Sequence, residues 1–178
     1  MADLARCRYS DAGIRGKSGV PRREMQYVPD PSAPPIRQAR RADLSALLDL
    51  YRQLHAGDPP IDLDRAKQAF DAMLGQPGLT VFVAEADGRP AATCTLIVVP
   101  NLTRGARPYG LIENVVTDAG FRSRGFGRTV LKAAISAAWR QDCYKVMLMT
   151  GRSDEATLRF YEHSGFSRGK TAFQINRP

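Results

Sequence analysis

The sequence predicts a single α/β domain of the α+β type, in which about four helices flank a mixed, mostly antiparallel twisted sheet of about six strands. Two observations predict this fold. Apolar residues switch between strand-type and helix-type spacing along residues 36–176, in the order β-α-α-β-β-β-α-β-α-β. In addition, Asp87-Gly88 separates two strand-like runs by only two residues, which is typical of a tight antiparallel hairpin.

The N-terminal part differs in composition from the rest of the chain. Residues 1–35 mix Arg, Gly, Ser and Pro without periodicity and end in a proline-rich run, so we expect a flexible extension. The folded domain is predicted to cover residues 36–178 and to begin with a short strand at 36–40.

Two helices and a hairpin are predicted next. Asp43 has the chemistry of an N-cap for a helix at 44–55, and a second helix is expected at 62–74. In each of these two helices, the apolar residues lie on one face. The hairpin strands follow at 79–85 and 91–99.

The second half of the domain begins with a loop at 100–108 and a strand at 110–117. A long amphipathic helix at 125–141 follows, and its apolar stripe is expected to face the core. The remaining elements are expected to be a strand at 144–150, a helix at 154–163 and a last strand at 166–175.

The composition limits the kinds of protein this chain can be. Its residues are 43% hydrophobic and 25% charged, as in ordinary globular proteins. No apolar run approaches the ~20 residues of a membrane span, and the N-terminus lacks the apolar segment of a secretory signal. Cys7, Cys94 and Cys143 show neither a disulfide framework nor metal-ligand spacing. We therefore expect a cytoplasmic protein with reduced thiols, no membrane partner and no metal site.

The formal net charge of +8 suits a polyanionic ligand, which could be a nucleic acid or a phosphate-bearing cofactor. The positive residues are spread along the chain, without a Lys/Arg block, a zinc-finger pattern or an RNA-binding motif. A nucleic-acid partner is therefore not expected.

Residues 122–127, Arg-Ser-Arg-Gly-Phe-Gly, lie between a predicted strand and a predicted helix. The first amides of a helix lack internal partners and attract anions, and Gly125 and Gly127 would let a phosphate approach the backbone. A dinucleotide fingerprint is disfavoured because Val130 stands at the third glycine position, and no Gly-Lys-Ser/Thr follows as in a Walker loop. The segment predicts phosphate binding; the alternative is an ordinary helix N-terminus with surface arginines.

Three segments together resemble the GNAT superfamily of N-acetyltransferases. The strand residues Glu113-Asn-Val-Val116, followed by Arg-x-x-Gly-x-Gly at 122–127, are similar to the family's strand and coenzyme-A pyrophosphate loop. Residues 143–149 resemble its next strand. Residues 154–166, which end in Tyr-Glu-x-x-Gly-Phe, resemble its closing helix.

The resemblance implies acetyl-CoA as the cosubstrate. In the family, the backbone of the Glu-bearing strand pairs with the pantetheine arm as if the arm were another strand. The cofactor-binding residues implied in this chain are Val115, Val116, Thr117, Arg122, Ser123, Arg124, Gly125, Phe126, Gly127, Arg128, Thr129, Asp154 and Tyr161.

Two side chains are candidates for catalysis. Glu113 lies in an apolar strand, where desolvation is expected to raise the pKa of its carboxyl. A carboxylate with a raised pKa is the stronger base and would suit the removal of a proton from the amine. Tyr161 corresponds to a tyrosine that the family often uses to protonate the departing CoA sulfur. The alternatives are a Glu113 held by an arginine or a backbone amide, and a Tyr161 that only packs.

The acceptor amine is left open. Within the family, the chain is nearest in look to glucosamine-6-phosphate N-acetyltransferases. At the positions of Ile112-Glu113-Asn114, those enzymes have a sequence that resembles Ile-Glu-Asp, so an aspartate stands where this chain has Asn114. They also carry an aspartate where this chain has Met149-Thr150. Aminoalkylphosphonates are another possible class of acceptor. Glu113, Asn114 and Arg107 are the expected substrate contacts, with Arg107 facing either an anionic acceptor or solvent.

We therefore expect an acetyl-CoA-dependent N-acetyltransferase that acts on the primary amine of a small molecule, as a homodimer. Direct transfer in a ternary complex is expected because Cys94 and Cys143 have no neighbouring histidine in the sequence that could activate them. The alternatives are a protein or peptide acetyltransferase, a non-catalytic acyl-CoA sensor and, least favoured, a basic nucleic-acid-binding module.

Overall fold

The computed structural model describes residues 33–169 and 171–176. The predicted extension at 1–35 therefore lies almost entirely outside the described residues. The elements in chain order are β1 (Ile36–Gln38), α1 (Leu44–Leu54), α2 (Leu63–Gly75), β2 (Leu79–Ala86), β3 (Arg89–Val99), α3 (Thr103–Ala106), β4 (Tyr109–Thr117), α4 (Phe126–Arg140), β5 (Val146–Leu148) and α5 (Glu155–His163). Two short 3-10 turns, Arg41–Asp43 and Ala119–Phe121, precede α1 and α4.

The five strands form one mixed sheet in the order β1-β2-β3-β4-β5. Neighbouring strands are antiparallel except for β4 and β5, which are parallel. The predicted fold class is confirmed. The tight hairpin at Asp87-Gly88 is also present, with both residues in the left-handed region at φ 50° and 74°, as a primed two-residue turn requires.

The predicted sixth strand is not formed. Among residues 166–169 and 171–176, which the structure describes, the backbone is irregular. Phe173 and Ile175 alternate as in a strand, yet they are 92% and 97% exposed. Strand preference in a sequence reflects packing on a neighbouring strand, and this segment has no such neighbour here. Strand β5 is likewise shorter than the predicted strand at 144–150.

Helices cover both faces of the sheet. Because side chains alternate along a strand, Val81 and Val83 of β2 pack with α1 and α2, including Leu47, Leu50 and Phe70. The opposite face packs mainly against α4. Its buried residues include Phe82, Ala84, Cys94, Leu96, Ile112, Val130, Leu131 and Ala134.

The sequence predicts Asp43 as a helix cap, and here the structure differs. Asp43 stands at the N-cap position of α1, but its side chain makes no cap hydrogen bond. Its carboxylate instead accepts from the Arg40 N–H at 2.8 Å and from the Arg37 guanidinium at 2.6 and 2.8 Å. Arg37 also contacts Glu85 at 2.8 Å. This ion network ties β1 and β2 to the start of α1.

The predicted loop at 100–108 contains the four-residue segment α3, whose Arg104, Gly105 and Ala106 all have positive φ. None of the helices within the described ranges is long and apolar enough to cross a membrane.

Candidate active site

Strands β4 and β5 are paired only along the first half of β4 and diverge beyond it. Residues Gly110–Ile112 pair with Val146–Leu148, and β5 then ends. Within the described part of the chain, residues 113–117 of β4 have no partner strand on this edge. The separation leaves an opening in the sheet beside the residues that the sequence singles out.

A β-bulge lies at the same point of β4. Thr95 of β3 pairs with Glu113 and Thr93 pairs with Val116, so β4 has one residue more than β3 between these pairs. Asn114 is exposed and adopts φ 53°, in the left-handed region that asparagine tolerates better than most residues. A bulge bends the strand and turns it away from its neighbour, which is consistent with the divergence of β5.

The end of β4 presents backbone groups to the opening. Asp118 donates its N–H to the Ala91 carbonyl on the β3 side, at 2.8 Å. Since backbone groups alternate between the two edges of a strand, the N–H and C=O of Thr117 face the other, open edge. Arg122 Nε lies 3.3 Å from the Thr117 carbonyl oxygen on that side. An extended ligand can therefore pair with this edge.

Helix α4 begins beside that edge with unpartnered amides. Gly125 is its N-cap, at φ 88°, and has no side chain to cap the helix. Thr129 is the first residue to donate within the helix, from its N–H to the Gly125 carbonyl at 2.9 Å. The preceding amides, of Phe126, Gly127 and Arg128, thus have no carbonyl one turn earlier and point outward at the positive end of the helix dipole.

The two glycines of this loop have different roles. A Cβ on Gly125 would meet no atom within 4 Å, so there the glycine serves the positive φ and leaves open space. A Cβ on Gly127 would lie 2.8 Å from Thr117 Oγ1 and 3.2 Å from Phe160 Cζ. Gly127 therefore lets β4, α4 and α5 meet at one point. These features fit a pyrophosphate at the helix N-terminus.

The three arginines of the loop are exposed, and two have definite partners. The Arg124 guanidinium lies 4.9 Å from the Phe121 ring centroid and 5.8 Å from that of Phe126. Arg122 donates to Thr117 as described above. Their positive charges surround the helix N-terminus, where they favour an anion.

A contact that the sequence analysis missed precedes the loop. Gln53 of α1 donates from Nε2 to Asp118 Oδ2 at 2.8 Å and accepts from the Ala119 N–H at 2.9 Å. The other carboxylate oxygen of Asp118 accepts from Gly120 at 2.8 Å. The hydrogen bond from Gln53 is the main cause that lowers the pKa of the Asp118 carboxyl. Only the capping tendency of aspartate gave any signal for this arrangement.

Tyr161 lies on α5, half-buried, in edge-to-face contact with the rings of Phe160 at 5.1 Å and Phe166 at 6.2 Å. Burial raises the pKa of the Tyr161 phenol, the charge of Arg152 opposes that rise, and the Glu113 carboxylate adds to it. The Tyr161 phenol and the Glu113 carboxylate thus interact electrostatically, which indicates that they belong to one neighbourhood. Arg152 is a further member of it that the sequence analysis did not identify.

Glu113 is partly buried on β4, opposite the buried Thr95 of β3. Directly opposed residues in an antiparallel pair have their Cβ atoms about 5 Å apart. The Tyr51 hydroxyl of α1 is buried against the hydroxyls of Thr93 and Thr95, and burial raises its pKa. Glu113 thus adjoins a line of buried hydroxyl groups.

Two predicted site residues have other partners. Arg107 contacts the Asp142 carboxylate at 3.1 and 3.2 Å, and it lies before the start of β4, six residues from Glu113. Asp154 caps α5 by accepting from the Thr157 N–H at 2.9 Å, which is the main cause that lowers its pKa. The substrate role of Arg107 and the cofactor role of Asp154 stay predictions.

The two described cysteines are poor nucleophiles. Burial raises the pKa of the Cys94 thiol to about 12 and also raises that of Cys143. Since only a thiolate attacks a thioester readily, neither is chemically prepared to carry an acetyl group. Among the described residues, no cluster of His, Cys, Asp and Glu could hold a metal ion.

Fold and site together present an open strand edge beside an uncapped helix N-terminus, a combination that suits an elongated, phosphate-bearing ligand. A model of the acetyltransferase (GNAT) family matches residues 44–166. The chain therefore belongs to the GNAT acetyltransferase family, and it is an N-acetyltransferase.

Its relatives include proteins named for one acceptor. The chain is 33% identical over 133 residues to the glucosamine 6-phosphate N-acetyltransferase of Trypanosoma brucei brucei, covering 74% of this chain and 87% of the relative. It is 36% identical over 136 residues to glucosamine 6-phosphate N-acetyltransferase 1 of Oryza sativa subsp. japonica, covering 74% and 79%. A solved structure of an inferred acetyltransferase from Agrobacterium tumefaciens str. C58 is 54% identical, with a TM-score of 0.78, covering 80% of this chain and 99% of that one.

Proposed function

We propose that this protein transfers the acetyl group of acetyl-CoA to the primary amine of a small molecule by direct attack in a ternary complex. The observation that carries this proposal is the conjunction of the open β4 edge with the uncapped N-terminus of α4. The first can pair with an extended arm and the second can hold a pyrophosphate. Both features lie within the segment 113–128.

The residues of the loop fit the cofactor. The amides of Phe126, Gly127 and Arg128 would hold the pyrophosphate, with the positive charges of Arg122 and Arg124 beside them. The backbone of Val115 and Thr117 would pair with the pantetheine arm, with Val116 between them held against Thr93 of β3. Ser123, Gly125, Thr129 and Asp154 complete the proposed set. When bound, acetyl-CoA supplies an activated thioester carbonyl.

Glu113 and Tyr161 would divide the proton transfers between them. An amine must be neutral to attack, and most primary amines are protonated near pH 7, so a carboxylate at the acceptor side helps by accepting a proton. The departing sulfur benefits from a donor. Burial keeps the Tyr161 phenol protonated, since its pKa is raised, and a protonated phenol can supply that hydrogen bond or proton.

The acceptor belongs to the proposal as well. The names of the two relatives above point to an amino-sugar phosphate, and the cation Arg152 near Tyr161 suits an anionic acceptor. Asn114, exposed at the bulge next to Glu113, is the further proposed acceptor contact. The proposed setting is the cytoplasm, which suits the free thiols of Cys94 and Cys143.

A homodimer is proposed as the assembly. The exposed side chains of Phe173 and Ile175 suit burial against a second copy. Light scattering after size-exclusion chromatography tests this part of the proposal, which a purely monomeric protein at micromolar concentration would contradict.

The deciding experiment is release of free thiol from acetyl-CoA in the presence of a panel of amines. The panel holds glucosamine 6-phosphate, glucosamine, an aminoalkylphosphonate, an aminoglycoside and peptides with free N-termini or lysines. Turnover confined to small amines supports the proposal. Turnover only with peptides indicates a protein acetyltransferase, and CoA binding without any turnover indicates a sensor.

A further inference from the structure

Helix α1 is joined to the approach of the proposed CoA loop by one side chain. Gln53 uses both groups of its amide there: Nε2 donates to Asp118 Oδ2 at 2.8 Å, and Oε1 accepts from the Ala119 N–H at 2.9 Å. Two hydrogen bonds from one planar amide to consecutive residues fix both the position and the orientation of that turn.

Asp118 passes this restraint on to the turn that follows it. Its second oxygen accepts from the Gly120 N–H at 2.8 Å and so caps the 3-10 turn Ala119–Phe121. The carboxylate stays ionised because the hydrogen bonds from Gln53 and Gly120 lower its pKa. A charged acceptor makes the stronger hydrogen bonds of its type.

The 3-10 turn Ala119–Phe121 packs against the CoA loop at 122–127. The Phe121 ring packs edge-to-face on Phe126, with centroids 5.3 Å apart, and the Arg124 guanidinium covers both rings. Arg122 returns to the strand through its hydrogen bond to the Thr117 carbonyl. A displacement of the turn therefore displaces the residues that surround the N-terminus of α4.

The same helix also reaches the acceptor side of the sheet. Tyr51, two residues before Gln53, buries its hydroxyl against Thr93 and Thr95. Thr95 in turn pairs across the strands with Glu113. Helix α1 thus contacts the surroundings of Glu113 through Tyr51, and through Gln53 it contacts the turn that leads into the CoA loop.

We propose that Gln53 is a positioning residue that couples the CoA loop to helix α1, so that CoA bound at the loop also stabilises the helix beside Glu113. The inference rests on the proposed CoA site. A side-chain link between two elements makes their local opening cooperative, and a ligand that closes one then protects the other.

The test compares Gln53→Met with a matched control on the same helix. Methionine keeps the length of the side chain and removes both polar groups. Arg52→Met introduces the same side chain at the neighbouring exposed position, where Arg52 forms an ion pair with Asp49 on the helix surface at 2.7 Å. For each protein, CoA affinity is measured by calorimetry, and amide hydrogen exchange is followed in residues 44–54 and 119–128 with and without CoA.

In the wild type and in Arg52→Met, CoA should slow exchange in both segments. In Gln53→Met, CoA should bind about tenfold more weakly, a typical coupling, and should slow exchange in the loop alone. A folded Gln53→Met protein with wild-type affinity and a protected α1 would overturn the inference. Weaker affinity with α1 still protected would also overturn it, because Gln53 would then support the loop without coupling the two segments.

A second pair of variants covers the case in which Gln53→Met does not fold. Gln53→Glu places a carboxylate against Asp118 and should weaken CoA binding. Adding Asp118→Asn supplies an amide that can donate to this carboxylate, and its carbonyl can still cap Gly120. The double variant should regain CoA affinity, and failure to regain any would contradict the coupling. A wild type that binds no CoA would overturn the proposed function itself, which the calorimetry detects separately.

Discussion

Gly127 at the start of helix α4 lies so close to Thr117 at the end of strand β4 that a Cβ on the glycine would stand 2.8 Å from the threonine Oγ1. Phe160 of α5 would be 3.2 Å away on the same side. The N-terminus of α4 therefore packs directly against the edge of β4, and the contact leaves no room for a methyl group on residue 127.

The substitution Gly127→Ala should push the N-terminus of α4 away from β4. We expect a loss of about 1–3 kcal/mol in the free energy of unfolding, the usual cost of overpacking. We also expect a reduced rise of the thermal midpoint on adding CoA, since ligand stabilisation follows affinity. Gly75→Ala is the control: it adds a Cβ at the end of α2 with no atom within 4 Å. An unchanged CoA response in Gly127→Ala would contradict the assignment of the loop.

Tyr161→Phe should lower kcat by roughly ten- to a thousandfold, because it removes one proton donor, and should leave acetyl-CoA affinity nearly unchanged. The raised pKa of Tyr161 keeps the wild-type phenol protonated up to at least its ordinary range, which lies near pH 10. Below that pH, ionisation of Tyr161 should therefore cause no decline in rate. Steady-state kinetics with calorimetric binding measure both effects, and full activity in Tyr161→Phe would refute the role.

Glu113→Gln should depress the rate by roughly 10²–10⁴-fold, the span for one general base. The loss should be greatest at low pH, where the amine acceptor is hardest to deprotonate, and it should shrink as the pH approaches the pKa of the amine. A pH-rate profile of the variant and the wild type with the same acceptor measures this trend. A loss that is the same at every pH would indicate that Glu113 positions the acceptor without accepting its proton.

Asp43→Asn should destabilise the fold at neutral pH. The Asp43 carboxyl has a lowered pKa, chiefly through its hydrogen bond with Arg37, so its ionised form stabilises the native state above the ordinary Asp pKa of about 4. That contribution is lost as the pH falls through the lowered pKa. We expect a deficit of about 1–3 kcal/mol at pH 7 that narrows in acid, measured by urea unfolding. A deficit of equal size in strong acid would exclude this ion pair as its cause.

Cys94 should make the protein less stable in alkali. Its thiol pKa is raised from 9.0 to about 12 in the folded protein, so above pH 9 the unfolded chain loses a proton that the native state keeps. The free energy of unfolding should then fall by roughly 1.4 kcal/mol per pH unit until the folded pKa is reached.

Cys94→Ala should remove that part of the slope. Tyr51 and Tyr161, whose pKa values are also raised, contribute in the same direction in both proteins. Denaturant titrations from pH 8 to 11 compare the two, and Cys143, whose thiol pKa is also raised, is left in place in both. Identical slopes in Cys94→Ala and the wild type would contradict the assigned burial of this thiol.

The features that could be predicted from the sequence are local ones. Asp87-Gly88 defines a turn by its own backbone preferences, and Gly125 lies at the predicted start of a helix, where its positive φ is tolerated. The apolar stripes of α1, α2 and α4 needed only their own periodicity. For such elements, tertiary contacts agree with the local signal.

The features that could not be predicted depend on distant parts of the chain. The contact between Gln53 and Asp118 joins two polar residues that are ordinary in their own segments. The sequence around Tyr51 gives no indication that its hydroxyl meets Thr95 across the core. Asp43 has the chemistry of a cap, but the nearby Arg37 competes successfully for its carboxylate. Phe173 and Ile175 alternate like strand residues, yet strand formation requires a neighbouring strand.

The bulge at Asn114 gives β4 one residue that the packing of the hydrophobic core does not require. Ile112 and Val115 pack on the face of the sheet that holds α4, whereas Val116 packs on the face that holds α1. Removing Asn114 would place Glu113 directly before Val115, and an uninterrupted alternation would then keep every one of these side chains on its present face. The hydrophobic core therefore has no use for this residue. A strand one residue shorter would pack as well and would avoid the unfavourable left-handed backbone at position 114. The additional residue thus bears on the opening between β4 and β5 and not on the packing of the core.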